Sequence, residues 1–314
     1  MLVPEVLTLT MNPALDVVTS IYRVIPTHKL RCNHSTEHPG GGGVNVASVL
    51  HRFGSNVQAL YPIGGVTGRW IDSLTKAEGL NTLLVQISGE TRESFSVHEI
   101  STAQDYRFIL PGPMLTPAEV KQFMKTLSLN WPSKYIVISG GLPPGVADDF
   151  YVAVIQLSKE RGLKVFFDSN GPALRPSLEE GVYLFKPSLS ELNSLSPSPM
   201  NGQSEYLSFC RSLIRQKKAE IIALSLGEQG AMLVTEAKAW YAPSIEVQIK
   251  TTIGAGDSFV GAMTWSLSQG HNLETAFAYG MAGGAAALLH SGTSLCQPND
   301  AKELIHKVKL IPLN

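Results

Sequence analysis

Residues 135–168 read YIVISGGLPPGVADDFYVAVIQLSKERGLKVFFD. Two apolar, β-rich runs, Tyr135–Ser139 and Lys164–Asp168, flank a stretch (Phe150–Arg161) whose apolar residues return every three to four positions. An apolar run without polar alternation suits a strand buried on both faces, and the spacing between the runs suits a helix. Strand, helix and strand in that order imply a right-handed crossover between parallel strands. The same alternation continues outward in both directions. Val6–Met11, Val57–Ile63, Val182–Phe185 and Glu220–Ser225 have strand character, and Thr116–Leu129 and Ser204–Lys217 have helical spacing. An α/β fold follows, with a mainly parallel sheet covered on both faces. Ligands of such sheets bind beyond the carboxyl ends of the strands, where the Gly-rich turns of this chain fall.

Two segments break the alternation. Asp16–His38 and Thr91–Leu110 look extended and carry turn residues such as Pro26-Thr27 and Ala103-Gln104-Asp105. They are expected to pair into a small separate sheet, a lid. The chain (1–314) is then one α/β domain with a lid inserted from about 16–38 and 91–110. Composition excludes several function classes. Hydrophobic residues are 44% and charged residues 16%, against about 25% charged in an ordinary globular protein, so the chain folds. A net charge of −1 gives no field for nucleic acid or a membrane surface. Cys32, Cys210 and Cys296 are far apart and odd in number, which fits a reducing compartment. The uncharged stretch Thr275–Gln297 is rich in Ala and Gly rather than Leu, and is expected to be a closely packed buried helix. A soluble, cytoplasmic protein is expected, with no secretory signal ahead of Arg23.

Two motifs carry the chemistry. Pro39-Gly40-Gly41-Gly42-Gly43-Val44-Asn45-Val46-Ala47 runs into helical spacing through Phe53. Glycines strip the turn of side chains so that a ligand can approach the backbone, the helix start offers free N–H groups, and Asn45 can bond a hydroxyl. Thr251-Thr252-Ile253-Gly254-Ala255-Gly256-Asp257-Ser258-Phe259 runs into a helix at Val260–Leu267. Here Gly254, Ala255 and Gly256 expose N–H groups at a positive helix end, an anion hole for a transferred phosphoryl group. Asp257 in the first turn can take a proton from a substrate hydroxyl. Finding the device twice suggests two substrates. No Gly-Lys-Ser/Thr or G-x-G-x-x-G follows either turn, which disfavours Walker-type and Rossmann sites. His34-Ser35-Thr36-Glu37-His38 fits an inverted zinc-protease pattern, but that chemistry needs a helix where this segment is extended.

These two turns resemble the signatures of the ribokinase-like sugar kinases, and within them the phosphofructokinase B group. The resemblance runs end to end and includes Thr8–Asp16, Lys29-Leu30-Arg31-Cys32, Ile138–Gly145, Ser225–Gly230 and Gly292-Thr293. It implies a three-layer ribokinase-like sandwich with a β-sheet lid. It also implies ATP-dependent phosphorylation of a ketohexose phosphate, first fructose 6-phosphate, with tagatose 6-phosphate or fructose 1-phosphate as alternatives. Members acting on those two usually carry a lysine within the glycine turn, and this chain does not. A protein that binds these ligands without turnover is the more remote alternative.

The resemblance also implies roles. Asp16, Gly41, Gly42 and Asn45 would hold the sugar, while Lys29, Arg92, Arg107 and Ser139 would clamp its phosphate. Lys186, Ser188, Ser225, Gly227, Gly230 and His290 would face ATP. Glu191, with Asp168 as a second candidate, would hold Mg²⁺, and carbonyls near Thr251 and Gly292 could hold a monovalent cation such as K⁺. Ser188 stands where the family has Asn, a shorter group that puts metal or ATP affinity in doubt. A lid with bare edges calls for a homodimer formed lid against lid.

Overall fold

The computed structural model describes residues 3–290, 292 and 294–314; Thr293 of the Gly292-Thr293 pair lies outside them. The strands are β1 (Val6–Leu9), β2 (Ala14–Ile21), β3 (Thr36–Gly40), β4 (Val57–Ile63), β5 (Asn81–Gln86), β6 (Arg92–Glu99), β7 (Gln104–Ile109), β8 (Tyr135–Ser139), β9 (Lys164–Asp168), β10 (Val182–Phe185), β11 (Ala219–Ser225), β12 (Ala231–Val234), β13 (Ala239–Ala242) and β14 (Ile311–Leu313). The α-helices are α1 (Gly42–Arg52), α2 (Gly65–Ala77), α3 (Pro117–Leu129), α4 (Phe150–Glu160), α5 (Leu174–Glu179), α6 (Leu189–Leu195), α7 (Gln203–Arg215), α8 (Ala255–Ser268), α9 (Leu273–Ala287) and α10 (Pro298–Leu304).

Among the described residues the main sheet has the order β14-β13-β12-β11-β10-β9-β8-β1-β4-β5. Its pairs from β11 across to β5 are parallel, and β12, β13 and β14 add an antiparallel edge. Period-two alternation sorts each strand between two cores. Leu7, Ile136, Ile138, Val165 and Phe167 face one core. Val6, Val137 and Phe166 face the other. Both faces are therefore covered by helices, the three-layer sandwich that unbroken apolar runs imply.

The second sheet, β3-β2-β6-β7, is built from the two segments that lacked helical spacing. Residues 22–35, between β2 and β3, add no strand to it. The Ala/Gly stretch is not one helix to Gln297: α9 ends at Ala287. Up to that point its glycines do serve close packing, since a β-carbon at Gly283 would lie 2.6 Å from Ala262 Cβ and 2.8 Å from the Ser258 carbonyl oxygen of α8. Among the described residues no helix is long and apolar enough to cross a membrane.

Candidate active site

The two glycine turns meet because α1 and α8 cross at close range. Gly261 makes this possible: a β-carbon there would stand 2.7 Å from Val49 Cβ of α1. One turn closer to the cleft, Asn45 Nδ2 donates to Asp257 Oδ2 at 2.8 Å. Gly254 caps α8 in the left-handed region at φ 75°, where a β-carbon would also strike Leu295 Cδ2. The amides of Ala255, Gly256 and Asp257, in the first turn of α8, are left without intrahelical acceptors. Asp257 is part-buried. Burial, then the nearby Asp168 charge, push its carboxyl from the ordinary 3.8 up to about 7, against the opposing pull of Asn45, Lys186 and Arg107.

The four glycines of the first turn have a different job from ligand approach alone: the space for their β-carbons is filled by protein. At Gly40 a β-carbon would collide with the Asp16 carboxylate, at Gly42 with Ser139 Oγ, and at Gly43 with Thr10 Oγ1 and the Leu9 carbonyl, while Gly41 has φ 107°. The glycines let α1 sit directly on the ends of β1 and β8, which places Asn45.

Adjacent strand ends deliver a polar row. Register pairs Ser139 of β8 with Asp168 of β9, and Lys186 follows β10. Lys186 Nζ lies 3.2 Å from Asp168 Oδ1, and Ser139 Oγ donates to Asp168 Oδ2 at 3.4 Å. Burial would lower the ammonium's pKa, but Asp168, Glu191 and Asp257 outweigh it, so Lys186 stays charged. A β-carbon on Gly256 would lie 3.4 Å from that Nζ, so the ammonium sits beneath the anion turn. Ser188 and Glu191 close a capping box at the start of α6: Glu191 Oε2 accepts from Ser188 N at 2.7 Å, and Glu191 N donates to Ser188 Oγ at 3.3 Å. Ser225 meets Ser188 through a parallel bridge. Gly227 and Gly230, at φ 61° and 95°, shape the turn that follows. His290 stands apart from this row, with Nε2 2.6 Å from Asp300 Oδ2 at the start of α10.

The inner face of the second sheet closes the cleft. Asp16 is 4% exposed and its Oδ2 has no partner. Burial raises its pKa, opposed by the charges of Arg107 and Arg92 and a hydrogen bond from Ser94. Arg92 is anchored by donating to the Asn12 carbonyl at 3.0 Å and the Leu110 carbonyl at 3.3 Å. Lys29 is exposed in the β2–β3 connection, as Arg107 is on β7. Thr251 and Gly292 line a cavity of about 470 Å³ under the same sheet. Among the described residues no group of three or more His, Cys, Asp or Glu side chains could hold a metal ion. Sequence reasoning singled out neither Thr10, Asn12 nor Ser94. Thr10 Oγ1 and Asn12 Oδ1 are buried without partners at the carboxyl end of β1, and that strand-end position was the available signal.

A family model described as pfkB family carbohydrate kinase matches residues 7–300. The ATP-dependent 6-phosphofructokinase isozyme 2 of Mycobacterium tuberculosis is 40% identical over 95% of this chain and 88% of its own length. The protein of the same description from Escherichia coli is 34% identical over 96% and 97%. A crystal structure of Escherichia coli phosphofructokinase-2 in complex with substrates and products superposes with a TM-score of 0.93 at 34% identity, covering 96% of this chain and 99% of that one.

Proposed function

The chain belongs to the pfkB family of carbohydrate kinases, and we propose that this ATP-dependent sugar-phosphate kinase converts fructose 6-phosphate to fructose 1,6-bisphosphate. The observation that carries the reading is the 2.8 Å bond from Asn45 to Asp257, which makes one cleft of the two turns. The names of the relatives at 40% and 34% identity favour fructose 6-phosphate as acceptor. In this reading Asp16, Gly41, Gly42 and Asn45 hold the sugar, with Arg92, Arg107 and Ser139 around its phosphate. Asp257 takes the proton of the primary hydroxyl as that oxygen attacks the γ-phosphorus. The amides of Gly254, Ala255 and Gly256, with the Lys186 ammonium beneath them, stabilise charge spread over the moving phosphoryl group. Ser188, Ser225, Gly227 and Gly230 line the nucleotide side, and His290, held by Asp300 outside that row, would reach the nucleotide from beside the start of α10. A Mg²⁺ carried on the nucleotide would neutralise phosphate charge near Glu191 and Asp168, whose carboxylates flank Lys186. K⁺ would sit at the carbonyls of Thr251 and Gly292.

The outer face of the lid presents Phe95 and Phe108, 37% and 56% exposed on paired positions of β6 and β7. We assign that face to a homodimer partner, and a monomer by sedimentation at micromolar concentration would refute this. Three free cysteines support a reducing, cytoplasmic setting. The test of the substrate is kcat/KM with fructose 6-phosphate, tagatose 6-phosphate and fructose 1-phosphate under saturating Mg·ATP. Fructose 6-phosphate should lead by tenfold or more. Another leader replaces the assigned acceptor, and no ADP with any of the three removes the kinase reading.

A further inference from the structure

Asn45 has an amide that is occupied at one end and open at the other. Its Nδ2 donates to Asp257 Oδ2, while its Oδ1 is buried with no partner in a residue only 5% exposed. Buried amide oxygens are rarely left unpaired, so this one awaits a donor from a ligand. The backbone carrying the side chain is fixed, because Gly43 rests on the Leu9 carbonyl and Gly261 lets α8 lock against Val49. The charged groups facing Asp257 come from three other elements: Asp168 at the end of β9, Lys186 after β10, and Arg107 on β7. Among the described residues Asn45 is the side chain in hydrogen-bond contact with it.

We propose that Asn45 is the positioning residue of Asp257, its Nδ2 holding Asp257 Oδ2 while its Oδ1 accepts from a sugar hydroxyl, so that one planar amide sets base and acceptor in register. The inference rests on the reading of Asp257 as the base and deepens it. It assigns the proton-accepting atom. With Oδ2 engaged, the hydroxyl proton goes to Oδ1 of Asp257, the sugar oxygen forms its bond to the γ-phosphorus, and the bond from that phosphorus to the bridging oxygen breaks with its electron pair leaving on ADP. Oδ2 of the protonated acid still accepts a hydrogen bond, so the Asn45 contact persists through the step. Loss of the amide donor removes stabilisation of the carboxylate more than of the acid.

The experiment follows the Asp257 carboxyl by ¹³C NMR in ligand-free protein, its resonance assigned with Asp257→Asn, in wild type, Asn45→Ala and Asn45→Ser. The midpoint should rise by about one pH unit in Asn45→Ala, from the usual worth of a hydrogen bond to a charged group, and less in Asn45→Ser, which keeps an O–H donor. The acid limb of kcat should move with it, so that the loss of kcat at pH 6 exceeds the loss at pH 9 by about tenfold. A folded Asn45→Ala with an unmoved midpoint overturns the proposal, as does a raised KM for the sugar with an unmoved kcat limb. Should the variants fail to fold, the side-chain amide resonance of Asn45 in wild-type protein must titrate with the Asp257 midpoint, and a flat response overturns it. Absence of turnover on every sugar phosphate would remove the kinase reading and leave this titration standing, so the two failures are distinct.

Discussion

Gly261→Ala puts one methyl group between α1 and α8, on the far side of the helix turn that carries Asp257. Its β-carbon would stand 2.7 Å from both Val49 Cβ and Val49 Cγ1. Apolar carbons rest at about 3.5–4.0 Å, so the helices must part by about 1 Å. Val49 cannot swing clear, because it is fully buried with a β-branched side chain. Overpacking of this kind costs about 1–3 kcal/mol, which lowers Tm by several degrees in a protein of this size. The same separation one turn away would take the Asn45–Asp257 bond from 2.8 Å past hydrogen-bond range, and a 1 Å misplacement of reacting groups costs up to about 10² in rate. Steady-state kinetics paired with a thermal melt reads both effects. Gly284→Ala is the control: its β-carbon would meet the Ala255 carbonyl oxygen at 3.4 Å, an ordinary contact, and the substitution should stabilise α9 by up to about 1 kcal/mol with kcat intact. Wild-type kcat in a folded Gly261→Ala, or equal losses in the two variants, would refute the link between helix spacing and the base.

Asp257→Asn should lower kcat by about 10²–10⁴ and raise stability. The folded pKa, about 7, lies above the ordinary 3.8, so the native state binds the extra proton and wild-type stability falls as pH rises between those values. The variant should therefore melt higher at pH 8, by no more than about 4 kcal/mol, and match wild type near pH 4; a lower Tm at pH 8 would contradict this. Lys186→Met leaves Asp168 as an unpaired carboxylate, at a cost of about 3–5 kcal/mol, and should weaken nucleotide binding by isothermal titration. Arg107→Ala should raise KM for the sugar phosphate roughly tenfold or more from the loss of charge-assisted bonds, while Lys29→Ala, at an exposed position of the β2–β3 connection, should change it less in a protein held as a monomer.

Strand and helix identities were legible where burial is complete. The runs of β8, β9 and β10 carry apolar residues on both faces, and the structure reproduces all three sets of bounds. Helix ends were less legible. α8 starts at Ala255 rather than Val260 because Gly254 adopts a left-handed cap, a backbone state that residue spacing does not reveal. The meeting of Asn45 with Asp257 was readable as two similar devices in one chain, but its 2.8 Å length depends on Gly261, which carries no motif. Residue types alone also put Lys29 with Arg92 and Arg107. The path of residues 22–35, which carries Lys29, is a connection without regular structure and leaves no periodic trace in sequence.

The charges around Asp257 bear on how basic it is when it acts. Arg107 and Lys186 help to hold it as a carboxylate, with Asp168 opposing them. Both cations face the places proposed for phosphate groups. A bound sugar phosphate neutralises the field of Arg107, and nucleotide phosphates do the same at Lys186. Each removes a stabilising influence on the carboxylate, so Asp257 becomes a stronger base as the substrates assemble, when water has also left the cleft. The acid limb of kcat, which reports the full complex, should therefore lie at higher pH than the limb of kcat/KM for the sugar phosphate at saturating nucleotide, which reports the enzyme before the sugar arrives. Coincident limbs in wild type, or a kcat limb on the acidic side of the other, would mean that the cations do not couple to the base.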